Sequence, residues 1–226
     1  LATLLVSARR IYPGLPQAGI ITSQGDTSLR AYLARNGFGL NGSGIKVGVM
    51  SDSYNTIIGN PAGDDVLRGD LPGSGNPEYP LPVEVVKEFP YGARSDEGRA
   101  MLQIIHDVAP GAELAFRTGF LGAADFAKGI QELQQTGCDI IVDDITYISE
   151  PFFRDGLVAQ AVDNVTAQGV AYFSAAGNFG SKSWQSEFYP VAAPAGMTGQ
   201  AHNFAAAFGG TDIYQSITVS PGNYTV

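Results

Sequence analysis

The chain has 226 residues, with 13 Lys+Arg against 22 Asp+Glu, and a formal net charge of −9. It lacks the general cationic surface that phosphate backbones reward, so nonspecific nucleic-acid binding and docking on anionic lipid are disfavoured. Hydrophobic residues make up 44% and charged residues 15%, a balance that supports a sizeable core and argues against disorder. The single cysteine, Cys138, excludes an intrachain disulfide. No apolar run approaches the roughly 20 residues of a membrane span, so no membrane insertion is expected.

In chain order, Ser28 to Arg35 reads as a short amphipathic helix with Leu29, Tyr32 and Leu33 on one side. Residues 45–50 (IKVGVM) form an apolar run of strand length between Gly44 and Ser51. Residues 60–82, rich in Gly, Pro and Asp, predict an exposed loop, and 83–89 a second strand. A helical pattern starts near Ser95 and ends before Pro110, with Met101, Leu102, Ile104, Ile105 and Val108 as its apolar side. Strands follow at 112–117, 139–143 and 170–174, separated by helices at 123–135 and 155–168 that are closed by Gly137 and Gly169. Alternating strands and helices imply an α/β fold in three layers, a mostly parallel sheet with helices on both faces. Residues 1–40 read as an N-terminal extension, 41–205 as the α/β domain, and 206–226 as the start of a β-rich module, seen in IYQSITVSPGNYTV.

Ligands of an open parallel sheet bind beyond the carboxyl ends of its strands. Four segments send a carboxylate or carboxamide to that rim: Asp52 after strand 45–50, Asp96 and Glu97 at the helix start, Asp143 and Asp144 at the end of strand 139–143, and Asn178 after strand 170–174. Singly, each reads as a turn or cap residue. Their convergence favours a functional rim. Asp143 and Asp144 point to opposite faces of a regular strand, so at most one reaches the site. The G-x-G-x-x-G of a dinucleotide fold and the Gly-Lys-Ser/Thr of a phosphate loop are absent. Two histidines and one cysteine in unrelated segments argue against a zinc site, so no metal and no cofactor is expected, though a carboxylate-only cation site stays open.

Residues 42–53 (GSGIKVGVMSDS) resemble the catalytic-Asp segment of subtilisin-like serine peptidases. Residues 95–114 (SDEGRAMLQIIHDVAPGAEL) resemble their catalytic-His helix, and 170–178 (VAYFSAAGN) their oxyanion-hole strand. The resemblance covers about residues 40–180, with the three motifs in the family's order, and implies a subtilisin-like fold. The family's His-Gly-Thr-His is here Glu97-Gly98-Arg99-Ala100, which is similar to the sedolisins, acid-acting relatives with a Ser-Glu-Asp triad. Sedolisins carry their Asp one turn after the Glu, where this chain has Met101. Asp52 is then the natural third member, although strict subtilase spacing falls on Ser51. The nucleophile segment Gly-Thr-Ser has its nearest match in Gly210-Thr211-Asp212, so the resemblance places the serine outside these 226 residues and implies that this chain alone is inactive.

On that resemblance the expected activity is endopeptidase cleavage of polypeptide through an acyl-enzyme. Asp52 and Glu97 activate the serine, Asn178 serves the oxyanion, and Asp144 lines the substrate cleft. Two carboxyls sharing a proton put the expected optimum at about pH 4–6. His106, nine residues after Glu97, is half a turn out of phase with it and reads as a packed or surface residue. His202 lies outside every motif, and Trp184 reads as packed rather than pocket-lining. A secreted or cell-surface location follows from the resemblance alone. Two other classes compete. One is an inactive subtilase-like scaffold that binds peptide or protein, favoured by Glu97 in the His position. The other is a glycosidase with paired carboxyls, disfavoured by Asn178 and by the lack of an aromatic platform.

Overall fold

The computed structural model describes residues 15–16, 25–180 and 185–214. Its elements are β1 (Leu15–Pro16), α1 (Gly25–Leu29), α2 (Ala31–Phe38), β2 (Lys46–Ser51), α3 (Pro61–Arg68), β3 (Glu84–Lys87), α4 (Glu97–Val108), β4 (Glu113–Thr118), α5 (Ala123–Gln135), β5 (Ile140–Asp143), β6 (Ile145–Thr146), α6 (Leu157–Thr166), β7 (Ala171–Ser174), β8 (Pro190–Ala192) and β9 (Gln200–His202). Five strands form one sheet in the order β3-β4-β2-β5-β7, and every neighbouring pair is parallel. β2, the first of these in sequence, lies at the centre, with β4 and β3 on one side and β5 and β7 on the other.

The alternation of side chains along β2 and β4 separates two cores. Val47, Val49, Leu114 and Phe116 pack with Ala62 of α3 and Leu102 of α4. Met50, Ala115 and Ile141 pack on the opposite face with Phe126, Ile130 and Leu133 of α5 and with Ala161 and Val165 of α6. The result is helix, sheet, helix, as strands buried on both faces require. Among the described residues no helix is long and apolar enough to cross a membrane.

Two local expectations change. The helix expected at 28–35 is broken: Arg30 takes a left-handed φ of 57°, ending α1 and starting α2, which continues to Phe38. The loop expected at 60–82 contains a helix, α3. Its start has Pro61 at the first helical position and the Asn60 side chain accepting from Gly63 N, and Gly69 closes it in the left-handed region. Those are ordinary helix punctuation. The Gly and Pro content that suggested a loop was this punctuation, and it delivers Ala62 and Leu71 to the core.

The chain divides into two compact units at Asn178/Phe179. Residues 25–40 belong to the first unit, where Arg35 donates to the carbonyls of Asp107 and Val108 at the end of α4. In the second unit β8 and β9 pair antiparallel, followed by a 3-10 helix at Ala206–Phe208. Trp184 and all but the first two residues of IYQSITVSPGNYTV lie outside the described residues.

On the α5 side of β4, Arg117 is fully buried and pairs with Asp125 and Glu132 of α5. Its stem occupies the place a Cβ would need at Gly129, 2.6 Å from Arg117 Cδ. Lys87 and Lys128 supply each acid with a second cation. Arg117→Ala is expected to cost about 3–5 kcal/mol, because it removes the packing stem and breaks a buried ion network. Arg117→Met refills the volume and leaves both acids paired to lysines, so urea denaturation should recover most of that loss. Hydrogen bonds from the network hold both acids below their ordinary values against the opposing effect of burial. This stabilisation is present at neutral pH and is lost as pH falls through their folded-state pKa values.

Candidate active site

The carboxyl edge of the sheet collects the ends of β2, β5 and β7 and the N-terminus of α4. Asp52, the residue after β2, is buried and anchors that helix start. Its Oδ1 accepts from Glu97 N at 3.0 Å and Ser53 N at 2.6 Å. Its Oδ2 accepts from Ser95 N at 2.8 Å and Ser95 Oγ at 2.6 Å. Asp96 answers in the other direction. It sits at a left-handed φ of 54°, which Asp tolerates better than most residues, and its Oδ1 accepts from Ser53 Oγ, Thr56 N and Thr56 Oγ1 at 2.7–2.8 Å. These donors lower its pKa against the opposing effect of burial. The loop after β2 and the start of α4 therefore cross-brace each other, and Glu97 is the first helical residue beyond the brace.

Gly98 makes the close approach of α4 to the sheet sterically feasible. A Cβ there would lie 2.3 Å from Phe116 Cε2 and 2.8 Å from the Ser53 carbonyl oxygen. Gly98→Ala must push the helix start away, at a cost of about 1–3 kcal/mol from overpacking. Chemical denaturation should show this loss, and the displacement should carry Glu97 away from its partner.

That partner is Asp144. The two carboxyls share a hydrogen bond, and Asp144 Oδ2 also accepts from Ser51 Oγ at 3.0 Å. Oδ1 of Asp144 is buried and accepts from no N–H or O–H group among the described residues. Burial first, then the charge of Glu97, pushes Asp144 up to about 8. Burial also raises Glu97 above the ordinary glutamate value, and Asp52 adds to this as a nearby like charge. The two acids therefore titrate together, and the buried Asp144 is the one whose proton is held to higher pH.

The sequence expectation joined Glu97 to Asp52. In the structure Asp52 reaches Glu97 through its backbone N–H and through space, while the shared hydrogen bond goes to Asp144. Met101, one turn along α4, packs toward the β2–β4 core face. Asp143 and Asp144 separate as strand alternation requires: Asp143 turns to Tyr172 and Ser174, and Asp144 to Ser51 and Glu97. Asn178 lies beyond β7 at the same edge, where Ala175 N→Asp143 O continues the ladder past Ser174. His106 is buried on α4, edge-on to Tyr79 with ring centroids 5.2 Å apart, and burial lowers its pKa. His202 belongs to the second unit, among Phe188, Tyr189 and Phe204.

Ser51, Ser53 and Ser95 are site residues that sequence reasoning did not assign. Ser51 had a visible signal, since it stands where strict motif spacing would put an acid. Ser53 and Ser95 had none, because their shortest hydroxyl contacts cross the loop–helix junction. Among the described residues no group of three or more His, Cys, Asp or Glu is placed to hold a metal ion. Neither a scan against protein-family models nor a search of curated proteins finds a match to this chain.

Proposed function

We propose that the Glu97–Asp144 pair is the acid–base element of a serine endopeptidase of the subtilase type, acting on polypeptide in mildly acidic to neutral solution. The observation that carries this reading is the hydrogen-bonded carboxyl pair of Glu97 and the buried Asp144 at the carboxyl edge of a parallel sheet, beside the residues that resemble the family's motifs. Glu97 is the base. A serine hydroxyl gives its proton to the Glu97 carboxylate as Oγ bonds to the scissile carbonyl carbon. Asn178 donates to the resulting oxyanion. The proton passes to the leaving amine as the C–N bond breaks, and water releases the acyl group by the reverse relay. Asp144 keeps its proton through the cycle and steadies the charge on Glu97. Asp52 sets the helix start and so the position of Glu97. The serine is read as lying outside this chain, in line with Gly210-Thr211-Asp212, and a secreted setting goes with the family resemblance only.

The strand next to the pair supports a polypeptide substrate. β6 follows Asp144 directly and pairs antiparallel with the extended Leu15–Pro16, in the register Leu15↔Thr146 and Pro16↔Ile145. An edge that takes an extended segment of its own chain has the hydrogen-bonding geometry to take a substrate strand. The test is hydrolysis of an unfolded protein between pH 4 and 9 by the protein that carries the serine, and by residues 1–226 alone. The long form should cleave and the short form should not. Sustained cleavage by 1–226, or none by the long form at any pH, overturns the reading.

A further inference from the structure

A cavity of about 410 Å³ opens beside β6, between the sheet and α6. That is within the roughly 300–1,000 Å³ of ligand sites. Its walls are largely apolar, with Phe126, Ile145, Tyr147, Val158 and Val162 among them. Three acids also line it, Asp143 from β5, Glu150 from the loop before α6, and Asp163 from α6, and no Lys or Arg does. None of the three is ion-paired among the described residues.

Asp143 is the informative one. It is buried, and its oxygens accept from Tyr172 Oη at 2.7 Å, Ser174 Oγ at 3.1 Å and Ile145 N at 3.1 Å. Its hydrogen bonds are made, but no cation pairs with it among the described residues. Burial accordingly holds its carboxyl above the ordinary value. Glu150 accepts from Val158 N at 3.1 Å and is held at the start of α6. An apolar chamber with three acids suits an apolar stem that ends in a cation.

We propose that this cavity is a specificity site for a basic side chain, guanidinium or ammonium on an aliphatic stem, of a polypeptide lying along β6. Thr146, which pairs with Leu15 in the register of β1 and β6, also lines the cavity, so a polypeptide that takes the place of Leu15–Pro16 on that edge passes its mouth. The polypeptide part of this inference rests on the peptidase reading. The preference for a cation stands on the cavity alone, so the test below needs no turnover.

The probes are N-butylguanidinium and its uncharged isostere N-butylurea, titrated into the chain at pH 7 and followed by amide NMR. Saturable shifts are expected at Ile145, Tyr147, Val158 and Tyr172, with the guanidinium binding at least about fivefold more tightly, equivalent to roughly 1 kcal/mol. Asp143→Asn should remove most of that preference. Asp163→Asn, on the surface of α6, should lower guanidinium affinity about two- to threefold without touching the fold, and it decides the charge question if the first variant does not fold. Val158→Trp should fill the cavity and abolish binding of both probes. Equal affinities, shifts confined to other residues, or binding untouched by both Val158→Trp and Asp163→Asn would overturn the proposal. Failure here leaves a peptidase without this pocket. Failure of the hydrolysis test leaves a cation pocket without a peptidase.

Discussion

Glu97→Gln is expected to lower kcat/KM for peptide hydrolysis by at least about 10³-fold in the protein that carries the serine, with the fold intact. General-base catalysis contributes roughly 10²–10⁴-fold, and an amide keeps the shape of the side chain while losing the ability to take a proton. The fold should hold because the helix start is secured by the Glu97 backbone N–H on Asp52, which the substitution leaves in place. The pH–rate profile of the unaltered protein should be a bell. Its acid limb reports Glu97, raised by burial above the ordinary glutamate value. Its alkaline limb reports loss of the pair's remaining proton as pH approaches the value of about 8 held by Asp144. This window reaches higher than the pH 4–6 expected from an Asp52–Glu97 pair, because Asp144 is buried beside the charge of Glu97 with one hydroxyl donor, that of Ser51, to offset it. A neutral optimum that survives Glu97→Gln would reject Glu97 as the base.

Asp144→Asn should stabilise the chain at alkaline pH and have little effect in acid. Asp144 titrates at about 8 when folded, against about 4 for an unfolded aspartate. Between those values the folded chain binds more protons than the unfolded one, so stability falls as pH rises. Burial of a charge beside Glu97 is the cause, and an amide carries no such charge. With allowance for the coupling between the two acids, the gain is expected to reach about 2–4 kcal/mol above pH 8 and to vanish near pH 4. Denaturant melts of 1–226 and its variant at both pH values measure it. A variant less stable at every pH would mean that Asp144 is held as a carboxylate by partners the amide cannot replace. In Glu97→Gln the folded pKa of Asp144 should drop, because the like charge is gone, and an NMR titration of the side-chain carboxyl reads that directly.

Much of the architecture was legible because it depends on local pattern. Short apolar runs between turn residues became β2, β4, β5 and β7, and amphipathic runs closed by glycine became α5 and α6. Strand alternation alone separated Asp143 from Asp144, since neighbouring side chains of a strand must leave on opposite faces. Local pattern also misled where one composition has two meanings. Gly, Pro and Asp around residues 60–69 read as loop, yet they are the cap, first turn and terminator of α3.

Residue pattern alone was enough for the α/β order of elements and for expecting Asp52, Glu97, Asp144 and Asn178 at the carboxyl edge of the sheet. Which two carboxyls meet was settled by packing between elements. Asp52 is spent on the amides of the helix start, and Asp144 comes across from the neighbouring strand to Glu97. Partner choice among acids at a rim depends on a few ångströms of helix placement. That placement is set by the missing side chain of Gly98 against Phe116 and by hydroxyls reaching between a loop and a helix more than 40 residues apart. Neither has a period in the sequence, because both are contacts between elements rather than properties of one.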